Sequence, residues 1–187
     1  MEKEMKTYVI TLSKRFMKGH PRAGEPTRFR CKFFMGREFC DACMANCGYD
    51  GTVNNRSCSR NAIIENGKLC NSPKIHTIRG NYPFWEKRIK DVQEGKAILS
   101  IRQWTGKPYQ SKQETLMNLT QKDGVGIQKL TLYGSLCNFL IDDKPANQYI
   151  YKLPNNDGLT VSDWEKWFKG YDLAQPMAII HFTSFRY

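Results

Sequence analysis

The sequence predicts an α+β chain: a small, mostly antiparallel β-barrel with short flanking helices. Three observations lead there. Runs rich in β-branched and aromatic residues recur along the chain, apolar residues at helical spacing occur only in short stretches, and strands and helices do not alternate regularly. With 187 residues, 40% hydrophobic and 12% aromatic, residues 1–187 are expected to form a single domain with a real core.

Tyr8 to Leu12 reads as the first strand, because it is β-branched and aromatic without a breaker. His20 to Pro26 carries turn chemistry throughout. Thr27 is then placed to cap a helix in which Phe29, Phe33 and Phe34 recur until Gly36 stops it. Residues 37–73 change texture: cysteine, asparagine, glycine and serine replace large aliphatic side chains, as in an insertion. Lys74 to Arg79 returns to a short β-prone run. Gly80 to Pro83 is a turn into a helix of about two turns bearing Trp85, Ile89 and Val92 and ending at Gly95. Ala97 to Trp104 is a strong strand, closed by the turn Gly106-Lys107-Pro108-Tyr109. Ile127 to Ile141 reads as a long strand or a hairpin, with Gly134 as a bulge. Asn155 to Gly158 is expected to be a tight loop. Thr160 or Ser162 caps a helix bearing Trp164, Trp167 and Phe168, and Met177 to Phe185 is the closing strand.

The 29 Lys plus Arg against 18 Asp plus Glu give a net charge of +11. That excess suits a polyanion, most simply nucleic acid; the plainer reading is a positive surface that serves solubility. Nine of the cations, against three carboxylates, fall between Lys74 and Lys112. No apolar run is long enough for a signal peptide or a membrane span, so a cytoplasmic protein with no membrane partner is expected. Its seven cysteines then point to free thiols or metal ligands before disulfides. Cys40-x2-Cys43-x3-Cys47, with Cys58 and Cys70, offers more than the four thiolates of a structural zinc. Disulfides and plain thiols remain the other readings. Cys31 and Cys137, on regular elements, are expected to be buried and inert.

Three pieces stand out for chemistry: Lys74-x-x-Thr77 followed by Arg79; Gln103-Trp104 with Lys107-Pro108-Tyr109; and Asn155-Asn156-Asp157-Gly158 ahead of an aromatic helix. Singly, each is an ordinary surface, strand or turn residue. Together they resemble the ASCH family of PUA-like domains, and most closely its small bacterial amidohydrolases that remove the acetyl group from N4-acetylcytidine. The likeness rests on a helix ending at Gly36, the strand Lys74-Ile75-His76-Thr77-Ile78-Arg79, an acidic residue (Asp157) before a capped helix, and the closing MAIIHFTSF. It covers most of residues 7–36 and 74–187. It departs from the family in carrying Asp157 where the family has glutamate, and in placing the Cys-rich stretch inside the motif.

The resemblance implies a PUA-like barrel and catalytic roles for Lys74, Thr77 and Asp157. Thr77 would be the nucleophile, a desolvated Lys74 its base, and Asp157 the group that orients the lysine or relays protons. Catalysis of this kind requires no cofactor. His76, one residue from Thr77, would face the other side of the strand. Arg79, Arg102, Trp104, Lys107 and Tyr109 are the candidate binding residues: aromatic faces for stacking, cations for phosphates or ring carbonyls. The expected partner is RNA or a nucleoside, and modified DNA is a further option. The alternative to the enzyme is a non-catalytic RNA or modified-DNA binding module; a third class is a regulatory protein that uses its cysteines against another protein.

Overall fold

A computed structural model of the chain describes residues 5–37, the short strands at 63–65 and 68–70, and residues 73–187. Along the chain these form β1 (Lys6–Leu12), α1 (Phe29–Gly36), β2 (Ile63–Glu65), β3 (Lys68–Cys70), β4 (His76–Arg79), α2 (Tyr82–Gln93), β5 (Ala97–Trp104), β6 (Gln113–Leu119), β7 (Gly126–Tyr133), β8 (Ser135–Ile141), β9 (Lys144–Pro145), α3 (Lys152–Asn156), α4 (Val161–Phe168) and β10 (Met177–His181).

The architecture is mixed α+β with mostly antiparallel pairing. Strands β1-β5-β6 form one sheet, β4-β10-β7-β8-β9 a second, and β2-β3 a separate hairpin. The pairing of β1 with β5 is parallel; every other strand pair is antiparallel. Among the described residues the two large sheets do not close into one barrel. Where edge strands β1 and β4 approach, a side chain takes the place of a ladder: Arg79 donates from Nη2 to the Thr11 carbonyl at 2.9 Å. None of the described helices is long and apolar enough to cross a membrane.

The core lies between the sheets and the helices. Ile10, Leu12, Leu99 and Ile101 from the first sheet meet Ile78, Leu130 and Met177 to Ile180 from the second, with Ile89 and Val92 of α2 against them. Each such side chain, fully buried, stabilises the fold by about 1.5–3 kcal/mol. β10 is buried at all five residues, which explains its unbroken apolar run.

Local chemistry places most boundaries. α2 starts where the Asn81 side chain accepts from the Phe84 amide at 3.3 Å, with Pro83 in the first turn. α4 starts at Thr160, whose hydroxyl accepts from the Asp163 amide at 3.1 Å. The 127–141 segment is a hairpin turning at Gly134, with a register shift at Leu132/Tyr133.

Several expectations are corrected. Arg28 at φ 59° occupies the N-cap position of α1 without a side-chain cap bond; from one residue earlier, the Thr27 hydroxyl accepts from the Phe29 amide at 3.3 Å and donates to the Ser13 carbonyl at 2.6 Å. Residues 152–156 form a short helix, not a loop, ending at Asp157. β10 stops at His181, four residues earlier than expected. β6 had no forecast, because QETLMNL is poor in β-branched residues and buries only Leu119 deeply. Cys31 is buried, whereas Cys137 is exposed near the tip of the β7–β8 hairpin, with Sγ 3.7 Å from Glu165 Oε1.

The end of α1 and the strand that begins at Lys74 are in contact. The Lys74 amide donates to the Lys32 carbonyl at 2.8 Å. A Cβ on Gly36 would sit 2.8 Å from Ile75 Cγ2 and 3.0 Å from the Lys74 carbonyl, so only glycine lets α1 end against the returning strand.

Candidate functional site

Backbone pairing assembles the site. Lys74 and Asp157 form an antiparallel bridge, and the Ile75 amide donates to the Asn156 carbonyl at 2.9 Å. Two side chains 83 residues apart in sequence are thereby set side by side. Lys74 Nζ donates to the Asp157 carbonyl at 2.7 Å and is ion-paired with Asp157 Oδ1. It also lies 4.2 Å from the centre of the Phe29 ring, a cation–π contact. Lys74 is 2% exposed and Asp157 3%.

The pair forms part of the polar wall of a cavity of about 200 Å³ lying between the ends of β1 and β4. Thr77 and Arg79 of β4 complete that wall, while Phe29, Trp167, Phe168 and Tyr171 supply aromatic surface. Thus Lys74, Thr77, Arg79 and Asp157 converge on one chamber. His76 lies elsewhere: strand alternation turns it away, and its Nε2 is 2.8 Å from the Tyr187 hydroxyl.

Burial dominates the electrostatics. Desolvation pushes Lys74 down to about 8, helped by Arg79 and Lys32 and opposed by Asp157. Desolvation likewise raises Asp157 against the pull of Lys74 and Arg79. Burial thus works against the charge of each partner, and the pairing of the two opposes it. Arg79, half-buried, is also lowered by desolvation, yet arginine stays charged.

Trp104, Lys107 and Tyr109 line a second, larger hollow of about 740 Å³, which shares Thr11, Ser13 and Met17 with the inner cavity. Arg102 behaves differently: half-buried on β5, it turns back to donate from Nε to Ser100 Oγ at 3.0 Å and lines neither cavity. Cys40, Cys43, Cys47 and Cys58 lie outside the described residues, and the side chain of Cys70 on β3 is not described. Among the described residues no group of three or more His, Cys, Asp or Glu is placed to hold a metal.

Sequence reasoning missed Lys32. It is 1% exposed, and its Nζ donates to the Gly158 carbonyl at 2.7 Å. Two buried ammonium groups therefore grip consecutive carbonyls, those of Asp157 and Gly158. A Cβ on Gly158 would come within 3.2 Å of both lysine side chains, and its φ of +78° disfavours any other residue. The signal lay in the helix itself: Lys32 follows Phe29 by three residues and so shares its buried face.

No family model, curated protein or solved structure matches this chain.

Proposed function

We propose that this chain is an ASCH-type protein on a PUA-like framework that takes a single nucleobase into the inner cavity and hydrolyses an amide on it. N4-acetylcytidine is the model substrate. The observation that carries the reading is a lysine buried with its carboxylate partner on the wall that also presents a threonine and an arginine, beside aromatic surface suited to a planar ring.

With a value near 8, about one-tenth of Lys74 is neutral at pH 7. Neutral Lys74 takes the Thr77 hydroxyl proton as the hydroxyl oxygen attacks the acetyl carbon, and the carbonyl electron pair moves onto oxygen. The Arg79 guanidinium stabilises that oxyanion. Collapse breaks the C–N bond, and the Lys74 ammonium returns its proton to the departing exocyclic amine. Water then cleaves the acetyl-threonine ester, releasing acetate and restoring Thr77. Asp157 holds the lysine in place and favours its ammonium form as the proton arrives.

The test is hydrolysis of N4-acetylcytidine by the wild type, Lys74→Ala and Thr77→Ala, each verified as folded by circular dichroism. Loss of at least about a hundred-fold in both variants is expected, with wild-type activity rising as pH passes through 8. Thr77→Ala leaves the ion pair intact, so it decides the question if Lys74→Ala unfolds. A folded wild type that binds the nucleoside without turnover would be a non-catalytic binding module.

A further inference from the structure

We infer that the ligand is a base within a single strand of nucleic acid, with the outer hollow seating the adjoining nucleotide; this rests on the inner cavity being a nucleobase site. Size gives the first argument. A cavity of about 200 Å³ accommodates one ring, so the sugar must rest outside it, at the sill formed by Thr11, Ser13 and Met17. Those three residues also border the outer hollow. A sugar at the sill therefore directs one of its phosphate-bearing oxygens into that hollow.

Charge gives the second. The ionisable side chains lining the outer hollow are Lys14, Arg15, Lys107 and Tyr109, with no carboxylate among them. Lys14 and Arg15 each donate to a backbone carbonyl, of Thr105 at 3.3 Å and of Gly24 at 2.7 Å, which fixes where the cations stand. Ammonium and guanidinium groups hold further donors, and these can meet a phosphodiester.

The third is an aromatic wedge. Trp104 and Tyr109 have ring centres 5.3 Å apart but are tilted by 53°, so they do not close on each other. Tyr109 is 91% exposed and held at φ 62°, a conformation that bulky residues rarely adopt. The turn that presents it is tied by hydrogen bonds. The Gly106 amide donates to Ser111 Oγ at 2.9 Å, Ser111 Oγ donates to the Lys107 carbonyl at 2.9 Å, and the Thr105 amide donates to the Lys112 carbonyl at 2.9 Å. A strained, fixed and uncovered aromatic ring beside three cations fits a base stacked next to its own phosphate.

The experiment measures fluorescence anisotropy with labelled single strands about eight nucleotides long carrying one N4-acetylcytidine, as RNA and as DNA. Free N4-acetylcytidine serves as competitor. All chains carry Thr77→Val, so that turnover does not interfere. The strand is expected to bind at least about five-fold tighter than the nucleoside, and Tyr109→Ala to lower that ratio at least about five-fold. Lys107→Gln is expected to reduce the salt slope by about one. Preference for RNA or for DNA assigns the sugar, and either supports the inference. Equal affinity for strand and nucleoside, or a Tyr109→Ala ratio equal to the parent's, overturns it. Tyr109-dependent strand binding in this background, together with no amide turnover by the wild type in the hydrolysis assay, sinks the hydrolase reading and leaves this one standing.

Discussion

The two faces of β4 are both largely buried and chemically opposite. Toward the inner cavity, Lys74 and Arg79 keep company with a carboxylate, and charge is retained by pairing. Toward the other side, His76 and His181 stack edge to face at 5.6 Å, with Tyr187 against both. Neither ring nitrogen of His181 has a hydrogen-bond partner among the described residues. Burial, with Arg186 adding to it, pushes His181 down to about 3, and His76 also falls well below its ordinary value through burial and the nearness of His181 and Lys74. Burial sets the same penalty on both faces. Whether a group answers by finding a counter-charge or by discarding its proton depends on whether the backbone delivers a partner, as the 74–157 bridge does.

The contrast breaks most sharply at Asp157. Asp157→Asn leaves Lys74 buried and Arg79 half-buried without their carboxylate, and is expected to lower the unfolding free energy by about 3–5 kcal/mol. Adding Lys74→Met should recover more than half of that loss. Denaturant titration of the two variants against wild type checks both statements, and a single variant as stable as wild type would mean the pair is not a charge pair.

A smaller effect is expected on the histidine face. The folded value of His181 lies below its unfolded one, so as pH falls from 6.5 toward 3 the unfolded chain takes up a proton that the folded chain refuses. Stability is full above 6.5 and drains away on acidification, by about 2–3 kcal/mol for this residue between pH 7 and pH 4.5. His181→Phe should remove that component. Thermal unfolding of both proteins across the range would reveal it as a shallower acid slope in the variant.

Least in size, yet closest to the proposed hydrolysis, is the effect expected at Lys32. Its charge helps to depress Lys74, so Lys32→Met should raise the lysine's value and move the acid limb of the pH–rate profile to higher pH. An unmoved limb would dissociate Lys74 from the rate, or Lys32 from Lys74.

Much of this was legible in the sequence wherever a local rule decides. Strand alternation separates Thr77 from His76, Thr160 or Ser162 announces the helix that Thr160 caps, and the apolar run from Met177 reads as the closing strand. The chamber was legible only in part. Lys74, Thr77, Arg79 and Asp157 could be nominated, but their convergence depends on a bridge across 83 residues that no local pattern encodes. Arg102 illustrates the reverse failure. A cation on a strand beside Trp104 reads as a ligand group, yet a serine two residues away on the same face captures it. The shared sill of Thr11, Ser13 and Met17 was invisible because those residues carry no distinctive chemistry and matter only through where they stand.

The contact between Gly36 and Ile75 bears on how this site tolerates change. The end of α1 touches the strand that begins at Lys74, so the two described ends that flank residues 38–72 lie close together. The entropy of closing such a loop grows only with the logarithm of its length, about 0.6 kcal/mol for each doubling. A change in the length of a segment whose ends already meet therefore costs little, and Lys74 can keep its register with Asp157 through it.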